Sequence, residues 1–236
     1  PLAWLLFRDT PEQDGLEMDG GKVVVKASSN PDMYIHADFT RSEALRDYSF
    51  WVFNFTFSFY GLFATAFTFH ILSLAKEYHF ENETILSLFV PIAAISVITN
   101  LIFGSINARL RLKWLLLIMN LGCLSATLGM LFLDRYGGVW GYVLGNGIAS
   151  GGFVSLTGIV FPRFYGRKHL GAISGVNMSA MVIASGLGPL LFGICHHYSG
   201  SYQWILIFSA FVPLILALLS LAADNPQRKL VKNTEK

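Results

Sequence analysis

Asn54, Ser58, Gly61, Thr65 and Thr68 recur at spacings of 4, 3, 4 and 3 residues, which keeps all five on one face of a helix. Amides and hydroxyls of this kind break no bonds unaided. In a low-dielectric setting they hydrogen-bond a polar solute, water or another helix. Asn146, Ser150 and Thr157 repeat the offsets of Asn54, Ser58 and Thr65. Similar stripes hold Ser96, Asn100, Phe103 and Asn107, and Ser174, Asn177, Met178, Met181 and Ser185. The candidate lining of a wet path is therefore Asn54, Ser58, Thr65, Asn100, Asn146, Ser150, Thr157 and Asn177. The rival reading makes them glue between helices, and Gly141-xxx-Gly145 and Gly147-xxx-Gly151 support it by allowing close approach.

Titratable chemistry is sparse. His70 is the one residue inside an apolar run whose charge switches near neutral pH, so it is a candidate proton or substrate contact. On an ideal helix, 16 steps of ~100° turn it about 160° from Asn54, and packing or anchoring is its competing role. His196-His197 sits in a join, 196–201, that holds no Cys or acidic residue of its own, so no metal site is expected. Cys123 and Cys195 read as small buried hydrophobes rather than a disulfide. An intramembrane enzyme would need a convergent acid, base or metal cluster, and the spans offer only His70, so the chain is not expected to be an enzyme or to carry a cofactor.

The elements that must position these groups are membrane helices. The 236 residues are 53% hydrophobic and only 14% charged, where a soluble domain carries about 25% charged residues. Tyr48–Ser73 holds no Asp, Glu, Lys or Arg and would form a helix roughly 39 Å long, against a hydrocarbon core of about 30 Å. Six spans are expected, at residues 48–73, 84–107, 113–133, 138–161, 171–195 and 202–223, giving an all-α six-helix bundle. Residues 1–7 read as the end of a preceding transmembrane helix, so the chain reads as a fragment. Residues 8–47 carry nine acidic and five basic residues with several Pro and Gly, which makes them a solvated connector. Within it 22–26 (KVVVK) has a strand pattern, and Thr40-Arg41-Ser42-Glu43 fits a capping box.

Basic residues fall at alternate joins: Arg109, Arg111 and Lys113, then Arg163, Arg167 and Lys168, then the tail 224–236. That places those joins, the connector and the tail in the cytoplasm, for a protein of the plasma or bacterial inner membrane. These charges are topology determinants, and no nucleic-acid partner is expected. The sequon Asn82-Glu83-Thr84 lies on an outer join at the mouth of a span and reads as chance. The first and fourth spans cross in opposite senses with the same polar offsets, the footprint of an inverted three-plus-three repeat around a shared site. Spans one, two, four and five would then wrap the path, with three and six as outer, lipid-facing helices. Pro189 should kink or loosen the fifth span.

Six spans with both ends inside, behind a long connector, resemble the carboxyl-terminal half of a major facilitator superfamily transporter. Arg8-Asp9-Thr10-Pro11-Glu12-Gln13-Asp14-Gly15-Leu16 and Phe164-Tyr165-Gly166-Arg167-Lys168-His169-Leu170-Gly171-Ala172-Ile173-Ser174-Gly175 are similar to segments of its monocarboxylate and oxalate/formate branch. The resemblance implies twelve helices in two halves, a missing amino-terminal six-helix half as partner, and a solute between the halves. The family's loop motif is matched by Gly104, Arg109 and Lys113, while Ala108 stands at its acid position and Arg111 at its inner Gly. A cytoplasmic gate built on a carboxylate–arginine pair is therefore not expected here. No Arg or Lys lies within the second or fifth span, so carboxylate recognition by a buried cation would come from the other half. The expected function is secondary active transport of a small solute by alternating access in a lipid bilayer; the branch resemblance implies a monocarboxylate or another small organic anion, and a neutral or zwitterionic solute stays open beside it. The alternative is a non-transporting six-helix receptor or scaffold.

Overall fold

The computed structural model describes residues 35–228 and 230. The expected helix end at 1–7, the strand at 22–26 and the motif at 8–16 lie outside the described residues. The chain forms α1 (Arg41–Arg46), α2 (Tyr48–Glu77), α3 (Asn82–Ser87), α4 (Phe89–Ile106), α5 (Leu112–Leu131), α6 (Tyr136–Tyr165), α7 (Leu170–Ser199) and α8 (Gln203–Ser220). No strand occurs among the described residues, and six helices, with α3 and α4 counted as one, are long and apolar enough to cross a membrane. We call the end that holds the joins 107–111 and 166–169 and the residues after α8 the basic end.

Local chemistry sets the boundaries. Thr40 caps α1, accepting from the Glu43 amide at 3.4 Å while the Glu43 carboxylate accepts from the Thr40 amide at 2.7 Å. Asp47 then separates α1 from α2. The second span breaks at Leu88, three residues before Pro91, whose missing N–H and ring disrupt the turn reaching back to Ser87. Gly166 (φ 79°) precedes α7, and Gly200 (φ 73°) closes it by donating to the His196 carbonyl at 2.8 Å. Pro189 does not interrupt α7, which is helical on both sides of it.

The closest pairings are α5 with α6, α2 with α7, α4 with α6, and α5 with α8. The leading helix of each triplet, α2 or α6, thus packs on the middle helix of the other, α7 or α4. The third helices, α5 and α8, pack on each other. This exchange is what an inverted repeat produces. It departs from symmetry at α5–α6, where glycines bring backbones together: a Cβ on Gly145 would lie 2.5 Å from the Ala126 nitrogen, and one on Gly129 would lie 2.2 Å from the Tyr142 nitrogen.

The third span, expected outside, has 56% of its most apolar window buried in the bundle, against 17% and 11% for the second and fifth, and it keeps an exposed apolar face of Trp114, Ile118, Leu121 and Leu128. Leu115, Leu116, Met119, Cys123 and Met130 of α5 are buried in the bundle, so its plain composition reflects packing on both α6 and α8. The apolar flanks of α4 (Val90, Val97, Leu101) and α7 (Met178, Val182, Ile183) stay exposed.

Candidate functional site

The polar residues gather at two places. The first is a cleft of about 180 Å³ between α2, α4 and α6, lined by Tyr60, Phe63, Ala64, Phe67, Thr68, Phe89, Ile92, Asn146 and Ser150. Ser96 of α4 donates to the Ser150 hydroxyl at 3.0 Å, and Tyr60 of α2 lines the same cleft. Asn146 donates to the Tyr142 hydroxyl at 3.2 Å, which leaves its amide oxygen as an acceptor at the cleft wall. The aromatic walls come from the tilted pair Phe67–Tyr142, 4.7 Å between centroids, and from Phe89 against Phe67. No Asp, Glu, Lys, Arg or His lines this cleft. It can offer amide and hydroxyl hydrogen bonds beside aromatic faces, without a formal charge.

The second place is the seam between α2 and α7. The Asn177 side-chain amide donates to the Asn54 side-chain oxygen Oδ1 at 2.8 Å, and the two residues are 6% and 1% exposed. Higher along the seam, a Cβ on Gly61 would lie 2.8 Å from the Ser185 hydroxyl, and one on Gly188 would lie 2.3 Å from the Leu62 carbonyl. Asn54 and Asn146 are therefore not brought to one site: each faces the middle helix of the opposite triplet. Ser58 lines an apolar crevice with Phe55, Leu62, Ala184 and Leu216, and its buried hydroxyl has no hydrogen-bond partner. Thr65 and Thr157 both bond back one turn, to Gly61 and Phe153, at 2.8 Å each. Asn100 lies at the α4–α6 contact, its backbone nitrogen 2.9 Å from where a Cβ on Gly151 would sit.

Six helices apolar enough to cross a membrane, three of them lining a neutral polar cleft, suit a carrier of solutes, and residues 52–236 match the family model for the Major Facilitator Superfamily. The chain belongs to the major facilitator superfamily. No curated protein matches it. As a superfamily member with six apolar helices, it is an integral membrane protein of a family that moves solutes across the bilayer.

Within this facilitator chain His70 is not directed away from Asn54's neighbour. Both meet α7, because the seam follows the ridge Asn54, Ser58, Leu62, Ala66 and His70, at steps of four rather than along an ideal 3.6-residue stripe. The His70 Nε2 lies 3.0 Å from the Pro189 carbonyl and Nδ1 lies 2.9 Å from the Tyr202 hydroxyl. A carbonyl only accepts, so in the neutral ring Nε2–H donates to Pro189 and Nδ1 accepts from Tyr202. Glu77 joins this group, accepting from the Tyr202 amide at 3.2 Å and lying 3.9 Å from the His196 ring. Both nitrogens of His70 are thus committed to protein partners that tie α2 to α7 and to the start of α8.

The join between α4 and α5 also gains a carboxylate that its local sequence lacks. Lys113 and Arg111 lie 3.0 and 3.3 Å from Asp224, which follows α8. Burial works to raise the Asp224 carboxyl, but the Lys113 hydrogen bond and the charges of Lys113, Arg228 and Arg111 bring it below its ordinary value. Gly104 and Arg109 are exposed. Arg163 holds the join from the other side, donating to the Asn107 carbonyl at 2.9 Å and to its side-chain oxygen.

Sequence reasoning missed Tyr60, Tyr142, Asp224 and Gln227. The two tyrosines were hidden in a first and a fourth span rich in aromatic residues and glycine, and Asp224 and Gln227 in a tail read only for its basic charge.

Proposed function

We propose that this chain forms one wall of the path of a secondary active transporter that works by alternating access, and that the cleft between α2, α4 and α6 is where it touches the solute. The observation that carries this reading is the meeting of Asn146, Ser150, Ser96 and Tyr60 from three helices beside aromatic faces, in a cleft lined by no charged side chain. Neutral donors and acceptors in a low-dielectric pocket select a solute by shape and hydrogen bonds. A carboxylate, as in the monocarboxylate and oxalate/formate branch, would therefore need its cationic partner from elsewhere in the full-length protein. The basic end, on this reading, faces the cytoplasm.

The test is solute uptake by the full-length protein in vesicles, with and without a pH gradient, compared with Asn146→Leu. Uptake of the best solute should fall tenfold or more (about 1.4 kcal/mol per factor of ten), and thermal stability should shift little, because Asn146 is only half-buried. Failure to accelerate any solute would favour the receptor or scaffold reading. Normal uptake by Asn146→Leu would remove the cleft from the path.

A further inference from the structure

The end of the connector, read from sequence as a solvated linker, is bound to the basic end of the bundle. Gln227, 1% exposed, reaches two segments at once, the end of the connector and the end of α6. Its Oε1 accepts from the His36 and Ala37 amides at 3.0 and 3.1 Å, and its Nε2 donates to the Ala37 carbonyl at 2.8 Å and the Phe164 carbonyl at 2.9 Å. Asn225, also buried, orients it by accepting from the Gln227 amide at 3.0 Å.

The strap 36–39 is fastened twice more. The Phe39 amide donates to the Tyr165 carbonyl at 2.9 Å. Asp38 accepts from the Arg167 and Lys168 amides at 2.8 and 3.1 Å, and those amides hold its carboxyl below the ordinary carboxylate range. Gly166 is required beside it, since a Cβ there would meet the Asp38 carboxylate at 2.1 Å and φ is +79°.

A buried primary amide with its oxygen and nitrogen both doubly engaged has no unpaired polar atom, and such a satisfied network holds the segments it joins in one arrangement. We propose that Gln227 is a positioning residue for transport: it clamps the strap 36–39 to the ends of α6 and α8, so that the connector moves with this bundle as one body. This rests on the transport reading above. A connector held rigidly at its last residues transmits displacement of whatever precedes it to the bundle, whereas a free linker absorbs it.

The experiment is hydrogen–deuterium exchange together with uptake kinetics on the full-length protein in vesicles. In the wild type the amides of residues 36, 37 and 39 should be protected. Gln227→Ala should release residues 36 and 37 while residue 39, bonded to Tyr165, keeps its protection. The maximal uptake rate should fall about threefold or more with KM within about twofold. Should Gln227→Ala fail to fold, Asp38→Ala loosens the same strap from its exposed side and should reduce the maximal rate in the same way. Rapid exchange at 36 and 37 in the wild type would overturn the proposal. So would an unchanged maximal rate in both variants once protection is lost. An inert wild type would instead strike the transport reading, and the exchange pattern alone would still decide whether the clamp exists.

Discussion

Gly145→Val will collapse the bundle, costing about 3 kcal/mol, the upper part of the range for overpacked cores. A Cβ at 145 falls 2.5 Å from the Ala126 nitrogen and 2.6 Å from the Gly122 carbonyl. Both are backbone atoms of α5, so no side chain can rotate away and the two helices must part. Parting them empties contacts along a seam that also depends on Gly122, Gly129 and Gly138, each with backbone within 3.0 Å of its would-be Cβ. Gly158 lies on the same helix with nothing within 4 Å, and Gly158→Ala should be neutral or stabilise by up to about 1 kcal/mol. Thermal unfolding of the two variants in detergent should differ widely. Equal stability would mean that α5 and α6 are not in backbone contact.

Asn177→Leu should give the next largest loss, about 1–3 kcal/mol, because it strands the Asn54 amide between α2 and α7 where water cannot reach it. Membrane hydrogen bonds are often worth less than this, about 0.6 kcal/mol on average, so most of the expected cost is the orphaned partner rather than the lost bond. The double variant Asn54→Leu with Asn177→Leu removes both polar groups and should recover a large part of the stability, a non-additivity that a double-mutant cycle measures. Additive losses would show that the two amides do not meet.

The six spans were readable because a helix in lipid must carry its own apolar surface, and Tyr48–Ser73 announces this by containing no charge. The capping box at Thr40 was readable for an equally local reason, since both partners lie within one turn. Neighbours across the bundle were not. The stripe through Asn54 assumed a straight 3.6-residue face, yet the seam with α7 drifts along steps of four, which brings His70 onto it. The Asn54 and Asn146 offsets did point to equivalent helices, but equivalence in an inverted repeat places them against different partners. The third span showed only its apolar composition, and its second, buried face against α6 and α8 was not readable, because an apolar helix looks alike whether it meets acyl chains or Leu and Met side chains. Gln227 gave no signal at all: a lone amide in a basic tail acquires meaning only when residues 36, 37 and 164 are folded against it.

The central claim is that solute passes against Asn146 and Ser150 between α2, α4 and α6. The most direct measurement places a cysteine at Ser150 in a full-length protein whose Cys123 and Cys195 are serine, and follows its labelling by a small thiol reagent with and without a saturating transported solute. Labelling should be measurable without solute and slowed about fivefold or more when the solute occupies the cleft, as 80% or higher occupancy requires. Labelling unaffected by a solute that the same preparation transports would contradict the account.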